Sequence, residues 1–171
     1  MHGRQPLKQR FVAGIGKFDG VHLGHKKLIE KIVSISKKEG KIASVFTFRN
    51  FPVEFYITPW EEKISILEKY GIEVCIWSDF SDVKNLRADN FIEYLLKKDV
   101  ESFVVGFNFK FGKNREGDVE TLKKLSEKYG FSVNVVEPVK IDGEIVNASK
   151  IRQFVKKGEI EKANKFLGRY F

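Results

Sequence analysis

Phe11-Val12-Ala13-Gly14-Ile15 runs directly into Gly16-Lys17-Phe18-Asp19-Gly20-Val21-His22-Leu23-Gly24-His25, and then into Lys26-Lys27-Leu28-Ile29-Glu30-Lys31-Ile32-Val33. The first five residues form an apolar run of strand length, and the last eight carry apolar residues at helical spacing. The pattern predicts a buried strand, a glycine-bearing turn and the start of an amphipathic helix. Glycines at such a turn permit positive φ or a close backbone approach. A helix start leaves N–H groups without intrahelical partners, and the helix dipole adds positive potential there. Strand, turn and helix start in this order make an anion site suited to phosphate. His22 and His25 lie three residues apart and share a face if the turn is helical. Two histidines near a turn also serve as caps or surface polar groups; the surrounding pattern favours the phosphate site.

Outward from this stretch, strand-like and helix-like runs alternate. Strands are expected at 11–15, 42–48, 73–77, 102–107 and 132–137. Helices are expected near 25–39, 60–70, 89–98, 118–129, 149–157 and 159–167. Strict alternation predicts a parallel sheet with helices on both faces, a Rossmann-like α/β fold. Thr58-Pro59 ahead of Trp60 reads as a cap and a first-turn proline, and Gly40, Gly71 and Gly130 read as helix ends. Residues 1–10 read as a basic N-terminal tail, and 11–171 as one domain.

The 171 residues carry a net charge of +8 and a single cysteine, Cys75. A chain of this length buries a real core. No apolar run is long enough for a membrane span or a signal-peptide core. One cysteine cannot form an intrachain disulfide, so a buried structural thiol and a reducing cytoplasm are expected. Acidic and basic residues are mixed through the helices, and no long basic stripe points to nucleic acid. The excess of cations suits polyphosphate ligands.

Two further stretches carry chemistry. Val104-Val105-Gly106-Phe107-Asn108-Phe109-Lys110-Phe111-Gly112-Lys113-Asn114-Arg115 places Phe103, Phe107, Phe109 and Phe111 on one face of an extended segment. Phe103 and Phe107 read as sheet packing. Phe109 and Phe111 lie past the expected strand end, where ligands of open α/β sheets bind. They offer an apolar wall for a ring system, with Lys110, Lys113 and Arg115 as cations for phosphate. In Val146-Asn147-Ala148-Ser149-Lys150-Ile151-Arg152, the Ser149 hydroxyl reads as a helix N-cap. Arg152, one turn on, can bind phosphate bidentately. Capping alone would also explain this stretch.

The decade from Gly16 to His25 resembles the His-x-Gly-His signature of nucleotidyltransferases. Its fuller form, Gly-x-Phe-Asp-Gly-Val-His-x-Gly-His, is similar to that of the FMN adenylyltransferase module of bacterial FAD synthetases. Gly106-Phe107-Asn108-Phe109-Lys110-Phe111-Gly112 resembles the same module's Gly-x-(Asp/Asn)-Phe-x-Phe-Gly segment. Asn147 to Arg152 resembles its Ser-Ser-Thr-x-Ile-Arg motif, with Asn147 and Ala148 in place of the serines. Phe46-Thr47-Phe48-Arg49-Asn50-Phe51-Pro52 stands where the family has Thr-Phe-x-Pro-His-Pro, with Asn50 and Phe51 in place of proline and histidine. Thr58-Pro59 with Glu62-Lys63 resembles the segment that follows, and Gly158 to Phe171 resembles the end of the module.

The resemblance implies a nucleotidyltransferase-type fold and transfer of AMP from ATP to the phosphate of FMN, giving FAD and pyrophosphate by in-line attack without a covalent intermediate. It implies His22, His25 and Arg152 as catalytic residues. Gly16, Lys17, Phe18, Gly24 and Ser149 would join them in binding ATP, and Phe48, Asn108, Phe109 and Phe111 would bind flavin. Mg²⁺ would bridge the phosphates, with no dedicated protein ligand. Asp19 is expected as a turn-former by local hydrogen bonding rather than a metal ligand. The expected partners are ATP, FMN and FAD, with no nucleic acid and no membrane. Riboflavin kinase activity would come from elsewhere or from a domain beyond this chain. Alternatives are a cytidylyltransferase or pantetheine-phosphate adenylyltransferase, a class I tRNA-synthetase fragment, and a non-catalytic flavin or nucleotide module. The Phe109–Gly112 segment weighs against the first, and the absence of a Lys-Met-Ser-Lys-Ser-like loop against the second. His22, His25 and Arg152 weigh against the third.

Overall fold

The computed structural model describes residues 9–171; the expected tail lies largely outside them. Arg10 already belongs to the fold, since its carbonyl accepts from the Ile42 N–H at 2.9 Å. Five parallel strands form the sheet: β1 (Phe11–Ile15), β2 (Ile42–Phe48), β3 (Val74–Ser78), β4 (Val100–Gly106) and β7 (Ser132–Val136). Their order is β3-β2-β1-β4-β7. From β1 the chain moves outward through β2 and β3, then returns to the other side of β1 for β4. The switch point therefore lies beyond the carboxyl ends of β1 and β4, where open α/β sheets bind ligands.

Alternation along the strands builds two cores. Val12, Ala43, Val45 and Val104 face one way, against Leu28, Ile29 and Ile32 of α1 (Leu23–Glu39) and Leu67 of α2 (Trp60–Lys69). Ala13, Phe46, Phe103 and Val105 face the other way, against Ile92 and Leu95 of α4 (Ala88–Leu96) and Leu122 of α5 (Val119–Tyr129). Each of these side chains larger than alanine stabilises the fold by about 1.5–3 kcal/mol on burial. A single helical turn, α3 (Phe80–Val83), follows β3. Two-residue hairpins, β5 (Lys110–Phe111) with β6 (Gly117–Asp118) and β8 (Lys140–Ile141) with β9 (Glu144–Ile145), sit outside the sheet. They are too short to leave a period-2 signal and were not anticipated. Helices α6 (Ala148–Lys156) and α7 (Ile160–Leu167) form a third cluster, in which Ile151, Phe166 and Leu167 pack on Ile57 and Val146.

Three local expectations change. The Thr58 hydroxyl does not cap α2, whose N-cap is Pro59 with no side-chain bond; it accepts instead from Arg169. The N-cap of α6 is Asn147, whose Oδ1 accepts the Lys150 N–H at 2.9 Å, while Ser149 is exposed in the first turn. Asparagine and serine cap about equally well, so either choice was open locally. Phe107 is not sheet packing: β4 ends at Gly106 and Phe107 is 40% exposed. Elsewhere the helix ends agree, with Gly40 and Gly130 closing α1 and α5 in the left-handed conformation.

Candidate active site

Between β1 and α1 the chain makes a tight turn, with a 3₁₀ segment over Asp19–Val21. Phe18 and Val21 take positive φ, 51° and 34°, beside Gly20 at 79°. For a bulky or β-branched residue that conformation is strained, costing about 1–3 kcal/mol each. It persists because both side chains are fully buried. The turn delivers His22 as the N-cap of α1, where its Nδ1 accepts the His25 N–H at 3.3 Å. The Nε2 atom therefore carries the proton of the neutral ring.

His22 and His25 stack face to face, with ring centroids 3.7 Å apart, and the Phe18 ring lies under His25 at 5.0 Å. Gly24 makes room for the pair. A Cβ there would meet His22 Cε1 at 3.1 Å and the Val146 carbonyl at 3.5 Å. Burial pushes His22 down to about 4, with the Arg169 guanidinium adding to the effect. Burial likewise holds His25 well below the usual histidine range, helped by His22 and Lys63. Both rings are neutral at physiological pH. Among the described residues, the Nδ1 of His25 is a buried side-chain atom with no protein partner. A buried polar group left unpaired costs about 1–3 kcal/mol, which an arriving ligand oxygen can recover.

Cations ring the turn. Gly16 extends the β1 ladder by donating to the Phe46 carbonyl at 3.1 Å. The ammonium of Lys17 sits 3.7 Å over the Phe51 ring. Burial lowers its pKa, as do the nearby charges of Arg152 and Arg115. Lys63 is 4% exposed and donates to the Lys17 carbonyl (3.3 Å), Thr47 Oγ1 (3.4 Å) and the Phe48 carbonyl (3.1 Å). It ties the ends of β1 and β2 together.

Asp19 does not form its turn by local hydrogen bonds; its partners are distant in sequence. Its carboxylate accepts the Ile57 N–H (3.0 Å) and the Thr58 N–H (3.2 Å) and pairs with Nη2 of Arg152. Arg152 also donates from Nε to the Phe55 carbonyl at 2.9 Å. Its guanidinium is thus beside the turn but engaged, rather than open as a free fork. Among the described residues no group of three or more His, Cys, Asp or Glu could hold a metal ion.

The expected flavin residues are distributed differently. Phe48 ends β2 in an aromatic group, with Phe51 at 5.6 Å and Phe80 at 5.5 Å. Asn50 accepts the Phe80 N–H at 3.0 Å and so fixes that group. Asn108 is exposed in the turn after β4. Phe109 is half-buried and stacks on Phe111 at 5.2 Å. Phe111 itself is 6% exposed and packs on Phe91, so it backs Phe109 rather than offering its own face. Cys75 is half-buried in β3, and burial pushes its thiol up to about 11, which makes it unreactive.

Fold and site together define a Rossmann-like α/β protein with a strained turn and two stacked histidines at its switch point. Residues 4–150 match the FAD synthetase family, and the chain belongs to it. It is 33% identical to an FAD synthetase of Listeria monocytogenes, over 92% of this chain and 68% of that one. It is 34% identical to a bifunctional riboflavin kinase/FMN adenylyltransferase of Bacillus subtilis, over 94% of this chain and 54% of that one. The chain spans less than three-fifths of two further bifunctional relatives, from Buchnera aphidicola. A Streptococcus pneumoniae crystal structure described as a macrolide-efflux protein superposes with a TM-score of 0.83 at 26% identity, over 96% of this chain and 57% of that one. Efflux is said of that protein alone. Among the described residues here, no helix is long and apolar enough to cross a membrane.

Sequence reasoning did not single out Lys63 or Arg169 and misread Asp19. A signal for Lys63 existed: it lies four residues before Leu67, on the buried stripe of α2.

Proposed function

We propose that this chain transfers AMP from ATP to the phosphate of FMN, releasing pyrophosphate and forming FAD. The observation that carries this reading is the unpartnered, buried Nδ1 of His25, stacked on His22 at the start of α1. An oxygen of a phosphate chain is the natural acceptor for a neutral imidazole donor at a helix N-terminus. Family membership and the aromatic ring of Phe109 beyond β4 support a flavin as the acceptor substrate.

The FMN phosphate oxygen attacks the α-phosphorus of ATP in line, and the pyrophosphate leaves from the opposite side. No protein atom becomes bonded to the substrate. His22 and His25 donate to oxygens on which charge grows in the transition state, and the backbone of Gly16, Lys17 and Phe18 lines the nucleotide. Lys17 neutralises phosphate charge. Arg152 exchanges its bond to Asp19 for the leaving pyrophosphate, with Ser149 beside it. Mg²⁺ enters with ATP as the Mg–ATP substrate, and the chain's residues need not form a cage for it.

The test is pyrophosphate release with Mg–ATP and a panel of acceptors. Release with FMN, matched by FAD formation, is the expected result. Release with pantetheine phosphate instead, or only with CTP in place of ATP, would assign a sister reaction. Flavin binding without release would leave a binding module.

A further inference from the structure

Arg169 lies 149 residues after Gly20 in sequence, yet its Nη1 donates to the Gly20 carbonyl at 2.7 Å and to the Val21 carbonyl at 3.4 Å. Its Nη2 donates to Thr58 Oγ1 at 3.1 Å. Two of these acceptors belong to the strained turn that delivers His22. The third adjoins the Ile57–Thr58 backbone held by Asp19. The arginine does not arrive alone. A Cβ on Gly20 would meet Leu167 Cδ2 at 3.3 Å, so Leu167 packs on the turn. Gly168, at φ 73°, lies so near Leu23 that a Cβ would come within 2.4 Å of its Cδ2. Three consecutive residues, the last of α7 and the two that follow it, thus seat on residues 20–23.

Positive φ at Phe18 and Val21 must be held in place by the surroundings. Asp19 holds the turn from one side, through Ile57, Thr58 and Arg152. On the other side the two prongs of the guanidinium divide the work: Nη1 reaches both the Gly20 and Val21 carbonyls while Nη2 holds Thr58 Oγ1, a planar two-pronged geometry that arginine provides and lysine does not. We propose that Arg169 is a positioning residue for the phosphate turn: by clasping the Gly20 and Val21 carbonyls it fixes His22 in its stack on His25. This deepens the proposed adenylyl transfer and rests on it. Residue 169 lies beyond the segment that matches the FAD synthetase family, residues 4–150.

The experiment compares Arg169→Gln and Arg169→Lys in the full chain, by steady-state kinetics and by NMR titration of the His22 ring. Besides burial, the charged group that acts on that ring is Arg169; His22 and Lys63 act in turn on the stacked His25. Arg169→Gln should lower kcat about tenfold or more, while KM for ATP moves by less than about threefold. It should also raise the His22 titration from its low value. Arg169→Lys should keep the titration low, because the charge remains, yet recover only part of kcat. Should Arg169→Gln fail to fold, the Lys variant alone decides: unchanged kcat would overturn the proposal. A folded Gln variant with kcat within about twofold of the parent and an unmoved His22 titration would overturn it as well. If the parent chain makes no FAD but the titration still shifts, the reaction is wrong and the positioning stands.

Discussion

Two helices begin beside the same turn, and they begin differently. Helix α1 starts at His22, whose imidazole caps the helix and is buried, neutral and stacked on a second imidazole with an unpaired nitrogen. Helix α6 starts at Asn147, whose amide oxygen accepts the Lys150 N–H, and its arginine is already bonded to Asp19 and Phe55. The first start holds an unmet hydrogen-bonding need, and the second is self-satisfied. An unpaired buried nitrogen costs free energy in the empty protein and points to ligand chemistry. A satisfied arginine points first to structure, and reaches a ligand only by giving up its present partners.

The contrast can be broken most severely at Asp19. Removing it as Asp19→Ala leaves Arg152, only 14% exposed at its side chain, without its carboxylate, and two backbone N–H groups without an acceptor. The expected loss is about 3–5 kcal/mol of stability, measured by urea denaturation. A loss below about 1 kcal/mol, the value of an exposed pair, would show that α6 is not anchored through this carboxylate.

At the α1 start, His25→Ala should leave the fold intact and lower the rate of FAD formation by about 100-fold to 1,000-fold. Circular dichroism checks the fold, and chromatography of the flavins checks the rate. A folded variant at parental rate would show that the orphaned nitrogen has no catalytic use.

Acid sharpens the same contrast. The folded His22 titrates near 4 and the unfolded one near the ordinary value of 6.5. Between those values the unfolded chain binds the extra proton, so stability is full above about 6.5 and falls as pH drops toward 4. His22 alone would contribute on the order of 3 kcal/mol to that fall. His25 adds to it in the same direction. His22→Gln should flatten the pH dependence, read from denaturation midpoints between pH 7 and 4. An equally steep profile would place the acid sensitivity elsewhere.

The smallest effect separates two neighbours at the α6 start. Asn147→Ala should cost about 1 kcal/mol through the lost cap, whereas Ser149→Ala should leave stability within about 0.5 kcal/mol. Equal losses, measured by thermal melting, would mean that both side chains hold the helix start.

The sequence was legible where structure is local and periodic. Strands 11–15 and 42–48 end where their apolar runs end, and glycines mark the ends of α1 and α5. The strand–turn–helix geometry around His22 and His25 was legible because strand, turn, cap and helix are contiguous. Contacts between distant residues were not. The partners of Asp19 lie 38 to 133 residues away, and those of Arg169 as far as 149. No local pattern encodes such pairings. The aromatic series from Phe103 to Phe111 reads as one face only while the chain stays extended. It turns after Gly106, so Phe107 reaches solvent and Phe111 enters the core.

The clasp of Arg169 on Gly20 also bears on the order in which the molecule is made. Residues 18–22 leave the ribosome before the residue that clasps them, carrying a backbone conformation that bulky residues disfavour. Their clasp follows 149 residues later, after roughly seven to thirty seconds of synthesis at typical rates. Until then the sheet can assemble around β1 and β2 while the turn remains unlocked. Locking of the turn then follows formation of the strands around β1 and β2 and is separated from it in time.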